Sequence, residues 1–409
     1  MLTIALVAAI AIGVRLAVQL GLGFYQGPER WEYEDLARSL VAGNGYRIEH
    51  LGTDYQAFAT PLYAFLLAGT YLLFGDPALG AGVLQIVLGG ALAATIYALG
   101  LRLDGELSAG LGAALVAVHP GLVIYSTKVH ALNLDAVLVV LMLLLLTLLR
   151  DAPSPRSTLV YGSVVGMTAL ERPTLVLFAV AGIASLLPMV RLRAAVVRAL
   201  VVVALVTALA VLPWIVRNAV VVGRPVLTTT AGEVLWRGNN PVASGSSLTL
   251  DGRPILDAAP DVRDLVWGKP ETLQSDLFTR LAIQYIVEDP LRAARDTARK
   301  FRDFWWFGPT LGTLYPKGWT ALYVLYYVGL LALAALGATL LARAGKRWEV
   351  GLIALVFLTV SVLQSLFYVE GRHRWQIEGL LVLLAAVPLA MSISAAVARL
   401  SRPTGRVSS

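Results

Sequence analysis

The sequence contains no cysteine, little charge and only four histidines. Without cysteine the chain can form neither a disulfide framework nor a thiolate metal site, and catalysis by a cysteine nucleophile is excluded. The histidines lie far apart and do not indicate a metal site, and no Walker loop or dinucleotide glycine motif occurs. Charged residues make up 14% of the chain, against roughly 25% in an ordinary soluble domain. This scarcity of charge excludes a soluble fold.

Hydrophobic residues are correspondingly abundant. They form 57% of the 409 residues, and the mean hydropathy is +0.73. A helix that crosses a bilayer needs about 20 consecutive apolar residues. Runs near this length occur at residues 2–24, 78–101, 107–124, 132–149, 157–170, 174–190, 199–216, 319–341, 350–367 and 377–398. The sequence therefore predicts an all-α polytopic membrane protein with about ten transmembrane helices.

One further apolar run, residues 61–74, decides the topology. As a helix it would measure only about 21 Å, short of the roughly 30 Å hydrocarbon core. If it does not cross and the N-terminus lies inside, most arginines and lysines of the short loops fall on the inner side, as in other membrane proteins. We therefore predict that this run is an interfacial helix of the outer face. Both chain termini are then cytoplasmic, and the protein lies in the cytoplasmic (inner) membrane.

This topology divides the chain into three parts. Residues 1–217 form an N-terminal transmembrane module with an acidic first outer loop at residues 25–77, and residues 218–318 form an extracytoplasmic loop region with interfacial helices. Residues 319–409 form the C-terminal transmembrane helices. The net charge of +7 is compatible with nucleic acid or anionic lipid as a partner. Its distribution over the loops favours membrane lipids and argues against nucleic acid.

The first outer loop holds several carboxylates directly after the first span, including Glu29, Glu32 and Asp35. Glu29 follows a Gly-Pro pair, ahead of the predicted helix, where a carboxylate can face a cavity and act as a general base. The alternative is that these residues only favour the N-terminus of a helix through its dipole. We expect no metal site, although a divalent cation bound by carboxylates stays open.

Basic residues gather on the same predicted side of the membrane: Lys128, Arg172, Arg372 and Arg374. A guanidinium group suits a phosphate because its planar fork donates paired hydrogen bonds. The alternative is that these long side chains reach from helix ends to the membrane surface. Several cations on one face favour a phosphate site.

Short blocks spread over nearly the whole chain carry a family resemblance. They lie at residues 28–37, 43–46, 60–63, 119–126, 170–173, 213–218, 235–241, 285–290 and 371–374. Together they resemble bacterial glycosyltransferase family 39, whose relatives within the C superfamily include the protein O-mannosyltransferases and the lipid A aminoarabinose transferases. In the first block Glu29 stands four residues before Tyr33, which stands four before Ala37, and Glu29 takes the place of the family's catalytic aspartate.

The resemblance implies an inverting membrane glycosyltransferase that needs no cofactor. Its donor would be a polyprenyl-phosphate sugar, and the acceptor would be a glycan, lipid or protein on the extracytoplasmic face. The implied catalytic residues are Glu29, Glu32 and Asp35. The implied donor-phosphate ligands are Lys128, Arg172, Arg372 and Arg374. The implied sugar or acceptor pocket consists of Tyr33, Tyr63, His130, Arg217, Arg237, Asn239 and Asn240.

Two other functions remain open from the sequence. A transporter or flippase for lipid-linked substrates predicts ionisable groups near the bilayer midplane and broken helices there, whereas the middles of the runs are apolar. A catalytically inactive relative that acts as a scaffold agrees with glutamate in place of aspartate at residue 29. It also agrees with Ala59-Thr60, where relatives often carry a basic residue.

Overall fold

The computed structural model describes residues 3–188, 193–308 and 317–401, and most of them are helical. The helices are α1 (Ile4–Gly21), α2 (Glu32–Val41), α3 (Leu62–Phe74), α4 (Pro77–Leu103), α5 (Glu106–Ala117), α6 (Pro120–Ile124), α7 (Leu132–Asp151), α8 (Pro155–Ala169), α9 (Val176–Ala184), α10 (Arg193–Val221), α11 (Ala231–Gly238), α12 (Pro260–Val266), α13 (Glu271–Glu288), α14 (Pro290–Trp305), α15 (Lys317–Arg343), α16 (Arg347–Ser365) and α17 (Gly371–Leu400). Two short antiparallel strands, β1 (Ile48–His50) and β2 (Thr53–Tyr55), pair in the first outer loop with Glu49 opposite Asp54.

Seven of the described helices are long and apolar enough to cross a membrane: α1, α4, α7, α10, α15, α16 and α17. An eighth span is formed if α5 and the segment Pro120–Thr127, which meet at an angle of 47°, cross together. The bend falls at a proline, which has no N–H to continue the hydrogen bonds of the helix. The two remaining runs are helical but short, at Pro155–Ala169 and Pro173–Ala184. The prediction of an all-α polytopic membrane protein is therefore confirmed.

The run at residues 61–74 is the 13-residue helix α3, which packs on α2 and α4. A tight turn joins it to α4, with Gly75 at φ +68° and the Asp76 carboxylate accepting the N–H of Leu79 at 2.7 Å. Its short length agrees with a helix that does not cross. Its place at the outer interface stays a prediction.

The buried centre of the bundle is formed by α4, α5, α7 and α17. Small residues allow close approach of these helices and of α15. A Cβ atom added at Gly337 of α15 would lie 1.9 Å from the carbonyl oxygen of Leu384 in α17, and one added at Gly100 would lie 2.7 Å from the Cα of Ala109. Most of α17 is consequently buried, from Arg374 to Ala390.

Helices α11, α12 and α13 form a smaller unit with a separate apolar core, made by Trp236, Ile255, Val266, Phe278 and Ala282. The first outer loop is attached to this unit, because the carboxylate of Glu271 accepts the main-chain N–H groups of Gln56 and Ala57 at 2.9 and 3.2 Å. The fold thus holds the acidic loop between the bundle and the α11–α13 unit.

Candidate active site

Glu29 lies between the first span and α2, and the structure places its carboxylate against Lys128. The distance from Lys128 Nζ to Glu29 Oε2 is 2.5 Å. The two main chains also meet, since the N–H of Val129 donates to the Glu29 carbonyl at 3.3 Å. The Glu29 side chain stays 52% exposed. An accessible carboxylate is therefore fixed beside an ammonium group from a loop about a hundred residues away.

Trp31 joins Arg372 to this pair. Its indole Nε1–H donates to Oε1 of Glu29 at 3.1 Å. The guanidinium carbon of Arg372 lies over the indole ring, 5.1 Å from its centroid, which is a cation–π contact. Arg372 also forms an ion pair with Glu370. Three of the predicted residues, Glu29, Lys128 and Arg372, thus come together around one tryptophan.

His130 and Tyr33 pack beside the same tryptophan. The His130 ring meets Trp31 edge-on at 5.0 Å between centroids and lies 6.4 Å from Tyr33. Burial, with the positive charges of Arg372, Arg172 and Lys128, holds the pKa of His130 well below its usual range. Tyr63 is a step further back: its ring meets Tyr33 at 5.2 Å and is fully buried. Of these predicted pocket residues, Tyr33 and His130 line the site and Tyr63 supports it.

Arg172 reaches this region paired with a carboxylate. Its Nε and Nη2 donate to one oxygen of Asp135 at 2.9 and 2.5 Å. The other oxygen of Asp135 is buried without a hydrogen-bond partner in the described part of the chain. Next to it, burial and the charge of Asp135 raise the pKa of Glu171 well above its usual range. Asp135 is therefore the carboxylate with which a bound phosphate would have to compete for Arg172.

Arg374 is not brought to this group. Its three guanidinium nitrogens donate to Glu378 Oε1 at 2.5 Å, to the Phe304 carbonyl at 2.9 Å and to the Tyr323 hydroxyl at 3.2 Å, and the side chain is 1% exposed. The reason is helical geometry, since residues two apart on a helix point about 200° away from each other. Arg372 therefore faces the site and Arg374 the bundle interior, where Glu378 also meets His119 at 2.8 Å.

Replacing Arg374 should damage stability more than chemistry. We expect Arg374→Gln to lower the free energy of unfolding by about 3–5 kcal/mol, because it leaves the Glu378 carboxylate buried without its charge partner. The measurement is thermal unfolding of the purified protein in detergent. Combining it with Glu378→Gln should recover part of the loss, and exposed Arg295→Gln is the control. A normally stable Arg374→Gln protein that has lost donor binding would contradict this assignment.

The acidic side chains that follow Glu29 have different surroundings. Glu32, at the start of α2, lies close enough to Arg237 for its negative charge to raise the pKa of Arg237. Asp35 is exposed. Glu34, which was not among the predicted site residues, is buried and pairs with Arg38 at 2.6 Å. Glu29 and Glu32 thus face the site region, while the structure does not bring Asp35 to it.

Arg237 belongs to a buried ion-pair group on α11. It contacts Glu233 at 2.5 Å, and Glu233 also meets Nε2 of His50 at 2.9 Å. Burial alone would raise the pKa of Glu233, but Arg237 and the hydrogen bond from His50 lower it to about 2. Arg237 keeps a 32% exposed side chain toward Glu32. The structure thus places Arg237 near the start of α2.

Glu233 makes stability depend on pH. Because its pKa in the folded protein is about 2 rather than 4.5, this carboxylate stabilises the fold fully above about pH 4.5, and the gain disappears as pH falls toward 2. Between neutral and acid pH, we expect the free energy of unfolding of Glu233→Gln to fall by about 3 kcal/mol less than that of the wild type. Thermal unfolding from pH 7 to pH 2 measures it, with exposed Glu49→Gln as control. Equal acid slopes in wild type and Glu233→Gln would contradict the pairing.

The other predicted pocket residues hold loops together. Arg217 donates to the carbonyls of Gln56 and Tyr46 in the first outer loop. Asn240 is buried and binds the end of α11. Asn239 accepts a hydrogen bond from Lys300 Nζ at 3.1 Å. Lys300 is fully buried, which lowers its pKa to about 8. These contacts anchor α11 and α14, and the structure does not bring Arg217, Asn239 and Asn240 to Glu29.

Sequence reasoning missed several residues of this site. Trp31 lies inside the first acidic block, two positions after the expected base Glu29. An aromatic residue at that position could have indicated that it belongs to the site. His373 stands between two arginines that were both assigned to phosphate. Asp135 and Glu171 gave no local signal, because their roles come from burial beside Arg172. Among the described residues, no three histidine, aspartate or glutamate side chains are grouped as metal ligands.

This multi-span bundle shares its fold with solved membrane oligosaccharyltransferases, and the predicted resemblance is confirmed. Residues 59–216 match the family model of the dolichyl-phosphate-mannose-protein mannosyltransferases. This segment contains Lys128, His130 and Arg172, while Glu29 and Arg372 lie outside it. No curated protein sequence matches the chain.

Solved structures share the fold at low sequence identity. The archaeal oligosaccharyltransferase AglB from Archaeoglobus fulgidus, in complex with an inhibitory peptide and a dolichol-phosphate, is 14% identical with a TM-score of 0.55, over 98% of this chain and 52% of that one. The apo form of the Archaeoglobus fulgidus oligosaccharyltransferase is 15% identical with a TM-score of 0.56, over 97% and 51%. ArnT from Cupriavidus metallidurans, bound to undecaprenyl phosphate, is 14% identical with a TM-score of 0.43, over 98% and 81%. The chain spans about half the length of the oligosaccharyltransferase.

Proposed function

We propose that this protein transfers a sugar from a polyprenyl-phosphate donor to an acceptor at the extracytoplasmic face of the cytoplasmic membrane, with both termini in the cytoplasm. The observation that carries the proposal is the contact of Glu29 with Lys128 and, through Trp31, with Arg372. A base for the acceptor and cations for a phosphate then lie side by side. The matched family model names a dolichyl-phosphate sugar, and AglB was solved with a dolichol-phosphate, which supports a lipid-linked donor.

The reaction on this proposal is a single displacement. An acceptor hydroxyl or amine attacks the anomeric carbon, Glu29 takes its proton, and the bond from that carbon to the phosphate oxygen breaks. The electron pair leaves with the polyprenyl phosphate, and the configuration at the anomeric carbon inverts because the acceptor attacks from the face opposite the phosphate. Lys128 and Arg372 stabilise the charge that grows on the leaving phosphate in the transition state. Arg172 joins them when the phosphate competes with Asp135.

Lys128 sets the order of events. Its ammonium group pairs with the Glu29 carboxylate at 2.5 Å and occupies Oε2 of that carboxylate. An arriving phosphate offers Lys128 another negative partner, which releases Glu29 for the acceptor proton. Donor binding therefore precedes deprotonation of the acceptor in this mechanism.

The proposal is tested with the full chain in liposomes that carry radiolabelled polyprenyl-phosphate sugars extracted from the source membrane. The expected result is release of unlabelled polyprenyl phosphate with label on an acceptor. Mass spectrometry of cell-envelope glycans with and without the gene then identifies the sugar and the acceptor. Movement of the intact lipid-linked sugar across the bilayer, with its sugar–phosphate bond unbroken, would instead show a flippase. Binding of a protein partner with no transfer from any lipid-linked sugar would show a scaffold.

A further inference from the structure

Two histidines next to the Glu29, Lys128 and Arg372 group each have one ring nitrogen occupied by the main chain. Nδ1 of His130 accepts the N–H of Leu132 at 3.0 Å. Nδ1 of His373 accepts the N–H of Glu370 at 3.2 Å, as part of the cap at the start of α17. A nitrogen that accepts a hydrogen bond carries no proton, so the proton of each neutral ring lies on Nε2. In the described part of the chain no residue hydrogen-bonds to either Nε2.

Both rings lie within the field of the same cations. Arg372 and Arg172 act electrostatically on His130 and on His373, and His130 also acts on His373. Burial and these charges keep His130 uncharged, because its pKa is well below its usual range. Both side chains are largely buried but keep part of their surface exposed. The region therefore combines three full positive charges with two free N–H donors on uncharged rings.

We propose that His130 and His373 donate Nε2–H hydrogen bonds to the non-bridging oxygens of the donor's phosphate. The inference rests on the proposed function. It assigns His373 to the phosphate site, and it assigns His130 to the phosphate instead of the sugar pocket. Neither ring gives up its proton in the reaction. Uncharged donors add directed hydrogen bonds to the phosphate without adding positive charge beside Glu29.

Substitutions with asparagine and glutamine separate the donor role from the structural role. Asparagine places an amide oxygen near the position of Nδ1, so it keeps the main-chain contact but lacks a donor at Nε2. Glutamine places an amide N–H near Nε2 and gives up the contact at Nδ1. Binding of undecaprenyl phosphate to the full chain in nanodiscs is the measurement, with thermal unfolding of each variant alongside.

We expect His130→Asn and His373→Asn each to weaken binding by about tenfold or more, the usual cost of a hydrogen bond to a charged group. His130→Gln and His373→Gln should keep most of the affinity. The opposite ranking, with glutamine worse than asparagine, would show a purely structural role and overturn the inference. Wild-type affinity in all four variants would also overturn it, with the proposed function intact. A wild-type protein that does not bind undecaprenyl phosphate would overturn both.

A spectroscopic readout adds a property that a structural role does not affect. In protein labelled with ¹⁵N-histidine, undecaprenyl phosphate should shift the Nε2–H signals of His130 and His373. Both rings should stay neutral when the lipid binds. Rings that become protonated when the phosphate binds, or signals that do not move, would contradict the assignment. Inorganic phosphate in place of the lipid tests whether the headgroup alone produces the shift.

Discussion

Glu29→Gln lowers the rate of sugar transfer by about 10² to 10⁴ and leaves the affinity for polyprenyl phosphate unchanged or higher. The rate falls because the amide cannot accept the acceptor's proton, and a general base commonly contributes a factor of this size. The affinity holds because the carboxylate no longer competes with the phosphate for Lys128, its partner at 2.5 Å. Transfer in liposomes measures the rate, and lipid binding in nanodiscs measures the affinity.

The matched control is Glu49→Gln. Glu49 lies in the same outer loop, on β1, and is exposed, so its loss should change neither quantity. Full transfer activity in Glu29→Gln would remove Glu29 as the base, while the proposed transfer reaction would stand with another group accepting the proton. Loss of folding in Glu29→Gln is not expected, since this side chain is 52% exposed.

Arg372→Gln is the second change with a large expected effect. It should reduce transfer by about 10² to 10³, because one of the groups that stabilise the departing phosphate is lost. Arg372→Lys should recover only part of the rate, since an ammonium group keeps the charge but not the paired hydrogen bonds. The dependence of the transfer rate on donor concentration shows whether binding or the chemical step is affected.

The neighbouring arginines provide an internal comparison. Arg372→Gln should remain folded and inactive, whereas Arg374→Gln should lose stability through Glu378. Arg295→Gln, on the exposed face of α14, should keep both its stability and its transfer activity. An Arg372→Gln protein that melts as early as Arg374→Gln would show that both arginines serve the fold alone.

The membrane bundle could be predicted from the sequence because a run of apolar residues long enough for a bilayer is a local property. Every predicted run contains a helix in the described part of the chain, including the short α8 and α9. The bend between α5 and α6 was not predicted. The proline that marks it lies inside residues 107–124, which look continuous by hydropathy.

The candidate site could be predicted only in part. The motifs selected Glu29, Lys128, Arg172 and Arg372, and the structure gathers them around Trp31 and His130. The motifs also selected Arg374, Arg217 and Asn240, which the fold uses to hold helices and loops. A motif shows which side chains are present. It does not show in which direction each side chain points or which residue it contacts.

The sequence by itself determined the class of this protein, its membrane helices and the short list of charged residues from which a site can be built. These depend on composition, run length and residue type, which each segment carries without reference to the others. The tertiary structure decided which residues meet. Helix phase turned Arg372 toward Trp31, which contacts Glu29, and turned Arg374 into the bundle, and burial beside Asp135 raised the pKa of Glu171. Both effects depend on neighbours that are distant in the chain, and folding alone brings them together.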